Sequence, residues 1–120
     1  HTISQYTDSM VTLRVNCTAP IQINGESAGS TVNIYHTVRN DVLKSMSVTI
    51  TLTGKTLNLI TNKPDPSDFR LVFGDLNFSV RDLVVTGNGT TTMVIKATLI
   101  INKVGKIDPI VYLNIDELIS

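Results

Sequence analysis

A chain of 120 residues is long enough for one domain with a core of its own and too short for two, so residues 1–120 are expected to form a single domain. Ten Lys and Arg balance ten Asp and Glu, which excludes a basic domain held to nucleic acid by phosphate neutralisation, and equally a polybasic membrane patch or an acidic tail. Hydrophobic residues make up 42% and charged residues 17%, the balance of an ordered chain rather than a disordered one. No apolar run is long enough for a membrane span, and no stretch reads as a signal peptide, as would also hold for a mature secreted chain.

The finer composition points to sheet. Thr (16), Val (13) and Ile (13) are 42 of the 120 residues, against 3 Ala and 2 Glu. β-Branched side chains are stiff at χ1 and pack well on a pleated surface, while the strongest helix formers are nearly missing. Along the chain, Val11, Leu13, Val15 and Cys17 alternate with Thr12, Arg14 and Asn16, the pattern of a half-buried strand. Pro20 interrupts it, and Asn24–Ser30 is a turn cluster with two glycines. Val32, Ile34, His36 and Val38 then alternate with Thr31, Asn33, Tyr35 and Thr37, and residues 39–45 have room for one helical turn.

Met46, Val48, Ile50 and Leu52 form the clearest alternation, and the link Gly54-Lys55 before Leu57, Leu59 and Ile60 predicts a hairpin there. Asn62–Asp68 is a loop, because its two prolines deny ladder hydrogen bonds. Phe69, Leu71 and Phe73, then Leu76, Phe78 and Val80, are two short strands around a Gly74-Asp75 turn. Leu83–Val85 is a further short strand, ended by a turn at Gly87-Asn88-Gly89. Met93, Ile95, Ala97, Leu99 and Ile101 mark a long strand, Lys103–Lys106 a turn, and Val111, Leu113 and Ile115 a last alternating run. Seven to nine short antiparallel strands at this spacing predict an all-β sandwich or barrel.

Candidate chemistry is sparse. Cys17 is the sole cysteine and sits on the apolar face of its strand, where a buried inert thiol is expected, with an intermolecular disulfide as the alternative. Only His1 and His36 are present. If His1 is a mature amino terminus, its amine and imidazole with His36 make a three-nitrogen copper site. Against that, His36 falls on an apolar face, where a core histidine is commoner. Asp65 and Asp68 lie in the proline loop and are expected to bond their own backbone rather than to work as paired acids or calcium ligands. No nucleophile elbow, zinc-protease helix, phosphate loop or paired CxxC motif occurs, so the expectation is a protein that is not an enzyme and needs no cofactor. Of the three glycosylation sequons, at Asn16, Asn77 and Asn88, Asn88 is the one in a predicted turn.

Two runs carry a resemblance. Val11-Thr12-Leu13-Arg14-Val15-Asn16-Cys17-Thr18 resembles the early Cys-bearing strand of chaperone–usher fimbrial subunits, and Gly89–Ile101 resembles their long closing strand. The usual partner cysteine is missing, and residues 107–120 follow the closing strand, either as an ordinary last strand or as a donor strand joined to the chain. The resemblance implies an Ig-like sandwich left one strand short, completed by a strand from a neighbouring subunit or a periplasmic chaperone. It implies an extracellular, cell-surface structural or adhesive subunit, with a host receptor as a further partner. The groove and partner-strand residues would then be Val11, Leu13, Val15, Met93, Ile95 and Leu99, with Val111, Leu113 and Ile115 as the filler. The alternatives are a viral or phage capsid, spike or fibre domain and a secreted carbohydrate-binding module. The last requires Tyr35, Tyr112 or Tyr6 in the open on a flat or concave face.

Overall fold

The computed structural model describes residues 8–39, 43–87, 91–103 and 107–119, and within them most of the alternating runs fold as strands. In chain order they are β1 (Asp8–Asn16), β2 (Gln22–Ile23), β3 (Thr31–Arg39), β4 (Leu43–Thr53), β5 (Arg70–Phe73), β6 (Leu76–Thr86), β7 (Thr92–Lys103) and β8 (Ile110–Asn114). They form two four-stranded sheets, ordered β3-β1-β8-β5 and β2-β4-β7-β6. The result is the all-β sandwich that the composition predicts. Among the described residues no helix is long and apolar enough to cross a membrane.

The core follows the period of two. Met46, Val48, Ile50 and Leu52 of β4 are buried, as are Met93, Ile95, Ala97, Leu99 and Ile101 of β7. The two strands pair antiparallel over eleven positions, with Ile50 opposite Ile95 and Leu52 opposite Met93. A slip of either strand by one residue would turn its row to water, so burial fixes the register. From the other sheet, Val11, Leu13 and Val15 of β1 and Val111 and Leu113 of β8 close the core from the facing side. Among the described residues the one buried polar residue, Thr12, lies outside this core, on the outer face between Tyr35 of β3 and Ile110 of β8.

Several expectations are corrected. The strands are not all antiparallel: β1 and β8 run parallel, Leu13 opposite Val111 and Val15 opposite Leu113. No hairpin forms at Gly54-Lys55, because at that end of β4 both sides, at Leu52 and Thr53, are already taken by β2 and β7. Leu57–Leu59 instead makes a 3₁₀ turn that buries Leu57 against the core. Leu83–Val85 is not a separate strand. It continues β6 past a bulge where Asp82 takes φ 53° and the register with β7 shifts between Arg81 and Val84. The helical turn allowed for residues 39–45 does not form at its ends, since Arg39 belongs to β3 and Leu43 to β4; residues 40–42 lie outside the described residues. The turn at Gly74-Asp75 joins strands of different sheets, β5 and β6, and so carries the chain across the sandwich. The turns expected at Gly87–Gly89 and Lys103–Lys106 fall mostly on residues outside the described ones.

Candidate functional site

The feature that separates this sandwich from a simple stack of hairpins is the placement of its last strand. β8 is not at an edge. It lies between β1, to which it is parallel, and β5, to which it is antiparallel, so it supplies ladder hydrogen bonds on both sides. Val111, Leu113 and Ile115 are fully buried, as are Val11, Leu13 and Val15 beside them. Of the predicted groove residues, the β1 set therefore flanks the filler strand directly. Met93, Ile95 and Leu99 are equally buried, but on β7 in the opposite sheet, so they roof the groove across the core rather than border it. The border that sequence reading misses is β5. Leu71 faces Val111 and Phe73 faces Ile110, with a register shift between them. The alternation of Phe69, Leu71 and Phe73 marks the strand, but no local pattern names β8 as its partner.

The segment is tied down at both ends. At its start Asp108 Oδ1 accepts the Met10 amide at 3.0 Å and the Pro109 carbonyl accepts the Thr12 amide at 3.0 Å. Gly74 holds φ 92°, and a Cβ on it would sit 2.9 Å from the Pro109 Cα, so only glycine lets β5 turn away so close to the start of β8. At its end a polar clasp forms. Asp116 Oδ1 accepts the Thr18 amide at 2.8 Å, while Asn16 Nδ2 donates to Asp116 Oδ2 at 3.2 Å and to Asn114 Oδ1 at 3.4 Å. Asn114 Oδ1 also accepts the Asp116 amide, capping the 3₁₀ turn Ile115–Leu118. Beyond it the Leu118 carbonyl accepts the amides of Thr61 and Asn62, and Ile119 bridges to Ile60. An exposed ion pair, Arg70 to Glu117 at 3.1 Å, lies over the same end.

The other candidates are placed as follows. Cys17 is fully buried at the end of β1, its Sγ 3.7 Å from the Ala19 carbonyl. Burial pushes its thiol above the ordinary range, a backbone hydrogen bond with Ala19 offsets part of this, and the Asp116 charge adds to the rise. Asp65 accepts the Ser67 amide and Asp68 the Asp65 amide, both at 2.8 Å, which caps the 3₁₀ turn Pro66–Asp68. The Ser67 hydroxyl and amide hold the exposed Asp65 carboxyl below the usual carboxylate range. His36 is half-buried on β3 opposite Val11, and His1 lies outside the described residues. Among the described residues no three His, Cys, Asp or Glu side chains come together. Asn77 is exposed on β6, the Asn16 amide is held by the clasp, and Asn88 and Tyr6 lie outside the described residues.

On the outer face of the same sheet, Tyr35, Thr12, Ile110 and Phe73 form one row across all four strands. Tyr35 and Phe73, at its two ends, are 57% and 53% exposed. The next row holds Asn33, Arg14, Tyr112 and Arg70, and the Arg14 Nε donates to Asn33 Oδ1 at 3.2 Å. No protein-family model matches the chain, and neither a curated protein nor a solved structure matches it.

Proposed function

We propose that this protein is a non-catalytic, extracellular structural or adhesive subunit of a bacterial fimbria or other surface fibre, assembled by β-strand donation. One observation carries the reading: the space between β1 and β5 is filled by a short strand, β8, that lies parallel to β1 and pairs with it across about a hundred residues of sequence. Three fully buried apolar side chains, Val111, Leu113 and Ile115, fill it, which is the arrangement that β-augmentation uses, with backbone bonds for affinity and alternate side chains for specificity. A neighbouring copy presenting the same segment would meet the same groove.

The test is strand replacement on the intact chain. A biotinylated peptide spanning 107–120 is incubated with the unlabelled protein below its melting temperature. Invasion by the peptide releases the resident segment, which then enters the next copy. The expected result is peptide capture together with a ladder of open-ended oligomers rising in steps of one chain. A protein that stays folded and takes up no peptide over days overturns the reading.

A second reading, sugar recognition, is favoured by the exposed row from Tyr35 to Phe73. Three interstrand steps separate its ends by about 14 Å, a span on which ring stacking suits a short oligosaccharide. Calorimetric titration with oligosaccharides decides it, with heat of binding lost in Tyr35→Ala. No heat with any glycan tested removes it.

A further inference from the structure

Of the four sheet edges, two are protected along their length. The edge at β2 is not one of them, since β2 is two residues long and pairs only with Leu52 and Thr53, leaving the rest of that side of β4 without a strand partner among the described residues. β5 is four residues long and its register with β8 shifts between Leu71 and Phe73. β6 is long, but the bulge at Asp82 breaks its ladder, and Arg81 and Asp82 place opposite charges, both exposed, at the break. Short strands, bulges and charges are the means by which proteins keep edges from pairing with other chains. β3 is neither short nor bulged, and its one Lys, Arg, Asp or Glu is Arg39, its last residue. It runs nine residues without a shift in its register to β1, from Asn16 opposite Thr31 to Asp8 opposite Arg39. Residues 31–38 contain no glycine, proline, lysine, arginine, aspartate or glutamate. Among the described residues no strand pairs with its outer edge.

We propose that β3 is a homodimerisation edge, pairing antiparallel with β3 of a second copy about a two-fold axis at Tyr35. Three observations favour this occupant. The first is the self-complementarity of the strand. With Tyr35 opposite itself, Ile34 meets His36, Asn33 meets Thr37, Val32 meets Val38 and Thr31 meets Arg39, so no charge faces a like charge. The second is the formal net charge of zero, which removes the long-range repulsion between two copies. The third is Tyr35 itself, at the centre of the strand and 57% exposed, a residue type enriched at the centres of interfaces. The product is one eight-stranded sheet, with the outer-face row from Phe73 to Tyr35 continued into its counterpart. Pairing of one strand buries less than the roughly 800 Å² per partner of a standard interface, so the dimer is weak, in the micromolar-to-millimolar range. The groove holding β8 plays no part, and the inference stands or falls apart from strand donation.

Sedimentation equilibrium of the intact chain across that concentration range tests it. The weight-average mass should rise from 13.1 kDa toward twice that value. Tyr35→Lys and Tyr35→Glu should each hold at one chain, because each places like charges face to face, and their equimolar mixture should recover the dimer at least as well as the parent. As a second measurement, Tyr35→Cys should form a disulfide-linked dimer under oxidation, since directly opposed residues of an antiparallel pair stand about 4.5–5.5 Å apart at Cα, within disulfide reach. A parent chain that stays at 13.1 kDa throughout overturns the proposal. So does a dimer that survives in both charged variants, or a mixture of them that fails to associate.

Discussion

At the scale of single residues, the chemistry of this chain is set by what surrounds each group. Cys17 is the clearest case. It is fully buried, and burial outweighs the backbone hydrogen bond with Ala19 in setting its thiol above the ordinary range. The nucleophile is the thiolate, so a raised and buried thiol is inert. A thiol reagent should label the native protein only through opening of the fold, at least about a thousandfold more slowly than the denatured chain. Rapid labelling of the folded protein would refute this. The same shift has a pH consequence. The unfolded thiol ionises at its ordinary value while the folded one keeps its proton, so stability is undiminished below that range and falls as pH rises through it. The urea midpoint should show this loss in the parent and lack it in Cys17→Ala. Asp65 runs the other way. Its carboxyl is held low by Ser67, so its small contribution is present at neutral pH and is lost as pH falls through the lowered value.

At the scale of elements, β8 is held more by buried apolar side chains and by its end clasp than by its visible ion pair. Arg70 and Glu117 are 57% and 42% exposed, and such pairs contribute about 0–1 kcal/mol. Asp116 is different, because it accepts from both the Thr18 amide and Asn16 Nδ2. Asp116→Ala should cost about 1–3 kcal/mol by leaving those donors without their acceptor. Asp116→Asn, which keeps one oxygen, should cost less. Urea unfolding measures the loss, and hydrogen exchange should show it concentrated at residues 113–119. Equal costs for the two variants, or none, would show that the clasp is decoration.

These elements also mark how far the sequence was legible. The alternations in β1, β4, β7 and β8 place the right side chains inward, because a period of two depends only on near neighbours. Partner choice does not. Ser45–Thr53 before Gly54 is a sound strand, yet the hairpin expected after it fails because β2 and β7 hold both its sides at Leu52 and Thr53. The parallel pairing of β1 with β8 joins residues about a hundred positions apart, and nothing local to either run encodes direction. The filler residues Val111, Leu113 and Ile115 were legible as an inward face; β5 as the groove's second wall was not.

At the scale of the molecule, the consequence of these placements is that one short segment joins two halves of a sheet. With β8 present, β3 and β1 lie on one side of it and β5 on the other. Without residues 107–120, β5 has no described ladder partner left, and β1 acquires an open edge over Thr12–Asn16. The core would lose Val111, Leu113, Ile115 and Leu118, and water would reach Val11, Leu13 and Val15. Burying Val111, Leu113 and Ile115 alone contributes roughly 5–8 kcal/mol before ordering entropy, which is comparable with the whole net stability of a domain of this size. Deletion of 107–120 should therefore yield no slightly weakened monomer. It should give a chain without a cooperative melt, aggregated or joined to others through the open groove. Peptide 107–120 added during refolding should restore a one-to-one complex with a cooperative transition, because the lost ladder and side chains return without the covalent link. Circular dichroism melts and size-exclusion light scattering read both outcomes. A truncated chain that stays monomeric with its melting temperature nearly unchanged would reduce β8 to a peripheral tail, and strand donation would fall with it.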